Sequence, residues 1–303
     1  MPKIATTDLD VFPLNLGGNV FGWTADEAQS FTVLDAYTEA GGNFIDTADL
    51  YSAGGSETII GNWLARRGRR DDMVIATKVG MWQGRPGLSA ENIRQAAEDS
   101  LRRLRTDYVD LYYAHLDDRG TEQDETLGAF DELVRAGKVR YIAASNYSAS
   151  RLSAALSISE SLGLARFVAL QPHYNLVERD YERELAPVVA REGLSAFPYF
   201  ALAKGFLTGK YRPGGDAVDS PRSERARPYL DAHGTSLLPV LDEIAAGRGV
   251  SVSAVSLAWL AAQPAVVAPV ASARTPEQLA DLLPASTLTL SDDELGRLDA
   301  ATD

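Results

Sequence analysis

Eight times along this chain, a short apolar run is followed by a segment whose apolar positions recur with helical spacing. The apolar runs fall at residues 14–17, 44–46, 73–78, 108–115, 139–145, 167–171, 194–199 and 265–270. Helical patterns occupy 26–40, 57–67, 90–104, 122–136, 149–162 and 180–192, then 235–247, 251–263, 276–283 and 291–300. Strands separated by helices pair in parallel, and eight such units predict closure into a barrel. The expected fold is therefore α/β, a (β/α)8 TIM barrel with a short N-terminal hairpin over residues 9–17 and two extra helices. An open doubly wound sheet is the alternative, but no Gly-x-Gly-x-x-Gly turn follows any of these strands. Residues 1–303 show no break in composition and read as a single domain.

Local punctuation agrees with this division. Ser89 is an N-cap for the run that follows it, and Gly41 and Gly137 stop the helices before them. The one long irregular stretch, Gly205 to Tyr229, is rich in Gly, Pro, Ser and Arg, which predicts a lid or a disordered segment.

Several functions are excluded early. A net charge of −13 argues against nucleic acid as partner. With no cysteine, disulfides, thiolate metal sites and thiol catalysis are ruled out, and three histidines leave little for an all-histidine metal site. No apolar run reaches membrane-spanning length, and the opening Met1–Asp8 lacks the apolar core of a signal peptide. A cytoplasmic protein without metal, nucleic-acid or membrane partners is expected.

In a barrel of this kind, residues at the C-terminal ends of the strands share one face. Polar residues stand there in successive units: Asp46, Lys78, His115, the pair Ser145 and Asn146, Gln171 and Tyr199. Tyr51 follows on the loop after Asp46. Alone, Asp46 reads as a cap, Lys78 as a solvated strand tip and His115 as a structural histidine; their recurrence at one relative position favours a shared site. A phenol with an ordinary pKa of ~10 is a poor acid at neutral pH. A neighbouring ammonium lowers that value, so Lys78, neutralised by Asp46, is expected to tune Tyr51 for proton donation. His115 then orients a carbonyl oxygen. None of these groups donates electrons, so reduction requires a hydride carrier.

With these four residues in this order, the chain resembles the aldo-keto reductases. Further matching stretches are Gly42-Asn-Phe-Ile-Asp-Thr-Ala, Ala76-Thr-Lys-Val, Ser145-Asn, Leu170-Gln-Pro-His-Tyr-Asn-Leu176 and Gly205-Phe-Leu-Thr-Gly-Lys-Tyr211, and the likeness covers about residues 8 to 300. The resemblance implies a (β/α)8 barrel that binds extended NADPH, with NADH as the other candidate, and reduces small-molecule carbonyl substrates. It implies a catalytic tetrad of Asp46, Tyr51, Lys78 and His115. Ser145, Asn146 and Gln171 would hold the nicotinamide carboxamide, and Tyr199 would stack on its ring. The turn from Leu202 to Leu207, with Lys204 and Gly205, would wrap the pyrophosphate. Ser272, Arg274, Gln278 and Asp281 would meet the adenosine end.

The chain departs from the family's usual pattern at Phe200-Ala201, where many relatives have Ser-Pro, and at Gln278 and Leu282, where many have Arg and Asn. His115 favours carbonyl over carbon–carbon double-bond reduction, because members that reduce double bonds carry glutamate there. Trp23 and Trp82 are the candidate walls of an open substrate pocket tolerant of several aldehydes or ketones. Two other readings stand beside this one. In the first, the chain is a cofactor-binding regulatory subunit of a partner, as potassium-channel β subunits are. In the second, it is a Schiff-base aldolase using Lys78.

Overall fold

Eight strands are hydrogen-bonded side by side, all in parallel: β1 (Asn15–Gly17), β2 (Phe44–Asp46), β3 (Val74–Val79), β4 (Val109–Ala114), β5 (Val139–Ser145), β6 (Phe167–Gln171), β7 (Ser195–Ala196) and β8 (Val270–Ala271). The computed structural model describes residues 1–216 and 218–302. The strands follow chain order from β1 to β7, and β8 pairs with β1. Closure is made by backbone bonds between β7 and the segment leading into β8. The Ala196 amide donates to the Ala265 carbonyl at 2.8 Å, Val267 to Ala196 at 3.1 Å and Val270 to Pro198 at 2.9 Å. The sheet is thus a barrel, as the alternation predicts, and not an open doubly wound sheet.

The helices are α1 (Glu27–Glu39), α2 (Gly55–Arg67), α3 (Ala90–Leu104), α4 (Gln123–Arg135), α5 (Ala149–Leu162), α6 (Tyr181–Arg191), α7 (Ser223–His233), α8 (Leu237–Arg248), α9 (Val252–Ala261), α10 (Pro276–Leu282) and α11 (Asp292–Ala300). Their starts follow side-chain chemistry. Ser89 accepts from the Asn92 amide, and Asp26 and Gln29 cap each other reciprocally at the head of α1. Among the described residues no single helix is long and apolar enough to cross a membrane.

The strands sort their side chains with period two. Ile45, Ile75, Tyr112 and Ile142 point outward and pack against the helices in one large cluster. Phe44, Val74, Ala76, Leu111, Tyr113, Ala143, Ala169, Phe197 and Ala268 fill the interior as a second cluster. Ile4, Leu9 and Val11 belong to that second cluster, so the N-terminal segment plugs the barrel from below. Continuing the inward alternation upward gives Asp46 above Phe44, Lys78 above Ala76, His115 above Tyr113, Ser145 above Ala143, Gln171 above Ala169 and Tyr199 above Phe197. The polar layer is the same inward-facing column of side chains, carried past the dry core.

Four expectations need correction. The N-terminal hairpin lies earlier than 9–17: Lys3 pairs antiparallel with Asp10, the Ile4 amide donates to the Leu9 carbonyl at 3.0 Å and Val11 to Pro2 at 2.9 Å, around a turn at residues 5–8. The strand expected over 194–199 is only Ser195–Ala196, since Pro198 has no amide to donate and Phe200 has a left-handed φ of 50°. The last strand lies at Val270–Ala271 rather than 265–270, because Ala265 also turns through a positive φ, 63°. The stretch read as irregular holds a short 3-10 run, Ala203–Thr208, and helix α7, a third accessory helix. Ala217 within that stretch lies outside the described residues.

Candidate active site

Asp46 at the end of β2 and Lys78 near the end of β3 meet on the inner face of adjacent strands. The Lys78 ammonium donates to Asp46 Oδ1 at 2.5 Å, to Asp46 Oδ2, and to the Thr47 carbonyl at 2.7 Å. Both side chains are buried. Burial opposes the charge on Lys78, yet Asp46 and Tyr51 outweigh it and hold its pKa above the ordinary lysine value. Lys78 is therefore an ammonium at neutral pH, unsuited to attack a carbonyl as a free amine.

Tyr51 reaches the same point from a tight turn, Tyr51–Gly54, in which Ser52, Ala53 and Gly54 all have positive φ. Two contacts hold that turn. Ser52 Oγ donates to the Phe21 carbonyl at 3.0 Å, and the Arg103 side chain lies so close under Gly54 that a Cβ there would come within 2.7 Å of it. The Lys78 ammonium sits 5.1 Å from the Tyr51 ring centre. Here the electrostatic expectation is corrected. Burial raises the phenol pKa more than Lys78 lowers it, Asp46 adds to the rise, and the net shift is upward.

His115, one residue past β4, presents its ring edge-on to Tyr51 at 6.2 Å. Burial and the Lys78 charge push its pKa well below the ordinary imidazole range, so it is neutral. Its buried Nδ1 has no partner among the described residues. The Asn146 side chain donates to the His115 carbonyl at 2.8 Å and to Ser145 Oγ at 3.1 Å, and Ser145 Oγ donates to the Gln171 carbonyl at 2.9 Å. Gln171 turns its amide nitrogen to Asp46, at 3.0 and 3.3 Å. Tyr199 donates its hydroxyl to Asn146 Oδ1 at 2.8 Å and stacks on His173, ring centres 5.3 Å apart.

With Lys78 buried behind the wall, Asp46, Tyr51, His115, Ser145, Asn146, Gln171 and Tyr199 line one cavity of about 690 Å³. It extends from Asp46, Tyr51 and His115 past Leu202, Lys204 and Gly205 to Ser272, Arg274, Gln278 and Asp281. Lys204 and Gly205 take positive φ in the turn that exposes them, and Lys204 bonds to the Tyr229 hydroxyl at 3.2 Å. Ser272 Oγ donates to Asn19 at 2.5 Å, and Gln278 accepts from the Arg274 amide at 3.0 Å. Trp23 lines the cavity, but Trp82 does not: it turns beneath the Arg85 guanidinium, 5.6 Å from its ring, and its neighbour Met81 takes the wall.

Two contributors escape a reading of the sequence. Gly17 lines the cavity where any Cβ would meet Ser272 Oγ at 2.6 Å, so the backbone itself forms the wall; the Gly17–Gly18 pair was the available signal. Arg222 also lines the cavity. Burial and the neighbouring Arg274 and Arg225 lower its pKa. Nothing in a Pro- and Ser-rich stretch distinguishes that arginine from a solvated one.

Comparison with known proteins agrees with this architecture. A family model described as "Aldo/keto reductase family" matches residues 13–303. Norsolorinic acid reductase stcV of Emericella nidulans is 35% identical over 94% of this chain and 76% of its own length. Protein tas of Escherichia coli is 34% identical over 98% of this chain and 96% of its own. Aryl-alcohol dehydrogenase GME11368 of Pestalotiopsis microspora is 33% identical, over 97% and 79%.

Proposed function

Because the chain belongs to the aldo/keto reductase family, and so to the NAD(P)H-dependent oxidoreductases, we propose that it reduces aldehydes or ketones to alcohols with NADPH, Tyr51 serving as general acid. The observation that carries this reading is the buried contact of Lys78 with Asp46 beneath the Tyr51 ring. Residues 1–303 would act as one (β/α)8 domain.

The cavity suits an extended dinucleotide. Its wall at Gly17 is closed by Ser272 and Val270 against any Cβ, and Arg222 and Arg274 both line it and bring positive charge. Ser145, Asn146, Gln171 and Tyr199 would hold the nicotinamide end. Leu202, Lys204 and Gly205 would hold the pyrophosphate, and Ser272, Arg274, Gln278 and Asp281 the adenosine end. A preference for NADPH over NADH rests on Arg274 and Ser272 meeting the extra phosphate.

When bound, the reduced nicotinamide supplies the hydride. The chain's own residues handle the oxygen. Neutral His115 donates a hydrogen bond to the carbonyl oxygen and sets its direction. Tyr51, kept protonated by burial, donates its proton as charge develops on that oxygen. Lys78, fixed by Asp46, stabilises the phenolate left behind. The raised lysine pKa counts against a Schiff-base aldolase, which needs the neutral amine. The test is loss of nicotinamide absorbance with a panel of aldehydes and ketones; no turnover across the panel would remove the reading.

A further inference from the structure

Tyr51 and Lys78 come from different units of the barrel, the first on the loop after β2 and the second on β3. Proton transfer from one beside the charge of the other needs the two held in register. The loop does not hold its own end: Ser52 and Ala53 sit at φ of 53° and 52°, a left-handed conformation that costs free energy in any residue with a Cβ. Such a turn persists only where its surroundings impose it.

Those surroundings include a buried carboxylate that no step of the chemistry uses. Glu57, in the first turn of α2, is wholly buried. Its Oε1 accepts from Thr77 Oγ1 at 2.6 Å, and its Oε2 accepts from Arg103 Nε at 2.7 Å. Thr77 is the residue before Lys78 on β3. Arg103, near the end of α3, runs under Gly54, where a Cβ would stand 2.7 Å from its Cδ and 2.8 Å from its Nε. Its main chain is fixed too, because α2 presses against it at Gly61, where a Cβ would come within 2.1 Å of the Arg103 carbonyl. Asp49, on the loop between Asp46 and Tyr51, feels the charges of this same pair and of Arg85. One carboxylate thus reaches β3 beside Lys78 with one oxygen and, through Arg103, the turn of Tyr51 with the other.

Resting on the reading that Tyr51 is the general acid, we infer that Glu57 and Arg103 are positioning residues: Arg103 sets the height of the Tyr51 turn, and Glu57 ties that setting to the strand that carries Lys78. Neither lines the cavity, so both act through other residues. Without the brace the turn relaxes toward ordinary φ values and carries the phenol out of line with Lys78 and the carbonyl oxygen. A displacement of about 1 Å at a reacting group can cost ~10²-fold in rate.

Arg103→Ala alone would strand a buried carboxylate, so the working variant pairs it with Glu57→Gln, which leaves no charge unpaired and keeps an acceptor for Thr77. We expect kcat for carbonyl reduction with NADPH to fall by about 10-fold or more, with KM for cofactor and carbonyl nearly constant. Arg103→Lys, which keeps the stem and the charge, should recover most of it. Thr77→Val, which cuts the tie to β3 and alters neither charge, is a second probe with the same expected sign. Thermal unfolding checks that each variant is folded.

The deciding readout repeats these substitutions in the Tyr51→Phe background. A brace that acts through the phenol adds no further loss where the phenol is already gone, whereas a general loosening lowers the residual rate by the same factor. Equal factors in the two backgrounds, an unchanged kcat, or no recovery with Arg103→Lys overturns the inference and leaves the general acid standing. Undiminished kcat in Tyr51→Phe itself overturns the parent reading.

Discussion

Lys78 grips Asp46 across the seam between β2 and β3, donating to both carboxylate oxygens, with Lys78 wholly buried and Asp46 showing only an edge to the cavity. A pair so placed adds little net stability over an apolar pair of the same volume, because each ion has lost its hydration. In the proposed mechanism its worth lies in where it fixes positive charge, beside the phenol that would surrender a proton.

Replacing Tyr51 with Phe removes the proton donor and keeps the ring that meets His115. Turnover of carbonyl substrate should fall by ~10²–10⁴-fold, the range general acids contribute. Cofactor affinity, followed by nicotinamide fluorescence, should stay nearly constant. A Phe variant with undiminished kcat would end Tyr51's candidacy.

Lys78→Met leaves the Asp46 carboxylate buried without its cation. Breaking a buried pair from one side costs about 3–5 kcal/mol, which urea unfolding will register. The double variant Asp46→Asn with Lys78→Met should recover part of that stability and none of the activity. Equal instability of single and double variants would show that the pair is not what Lys78 contributes.

Because His115 is held neutral, protonation of an imidazole should put no step in the rate near pH ~6.5. Because Tyr51 is pushed upward, the acid should keep its proton until above the ordinary phenol range of ~10, and carbonyl reduction should decline only there. A pH series of kcat/KM checks both limbs. An acid-side step near 6.5 that disappears in His115→Gln would contradict the neutral assignment.

Asp49, buried on the loop between Asp46 and Tyr51, has its pKa pushed up to about 7 by burial and by Glu57. The native carboxyl thus keeps a proton that the unfolded chain, titrating near ~3.9, has already lost. Stability contributed by that proton is whole at low pH and drains away as pH rises from ~4 to ~7, after which it is level. Asp49→Asn should flatten the slope, by roughly 2–4 kcal/mol over the interval. Unfolding free energies at pH 5 and pH 8 decide it; parallel curves for both proteins would refute it.

Arg274→Ala should raise KM for NADPH by about 10-fold or more and leave KM for NADH nearly unchanged, as expected for loss of a charged bond to the one phosphate that differs. Equal losses with both cofactors would move Arg274 to the pyrophosphate or the base.

Asp46, Lys78 and His115 are legible in the sequence because each closes an apolar run, and in a parallel barrel the end of the run is the rim. Ser89 and Asp26 are legible as helix starts for the same local reason. What stays hidden depends on contacts made across the chain. The seventh strand is cut short by Pro198 and by the turn at Phe200, although its apolar run promises six residues. Helix α7 carries Pro228 within it and exposes Glu224, Arg225 and Arg227, and it follows a Pro- and Ser-rich stretch that reads as loop. Trp82 and Met81 are adjacent, and only the direction of the backbone after β3 decides which one faces the cavity. The sign of the Tyr51 shift needs burial as well as the neighbouring charge, and burial is not a local property.

Ile4, Leu9 and Val11 stopper the barrel at the end away from Tyr51. Such a vessel is filled and emptied from the other side, so its two occupants must queue. Whichever lies nearer the floor has to arrive first and depart last, and product-inhibition patterns would record that order.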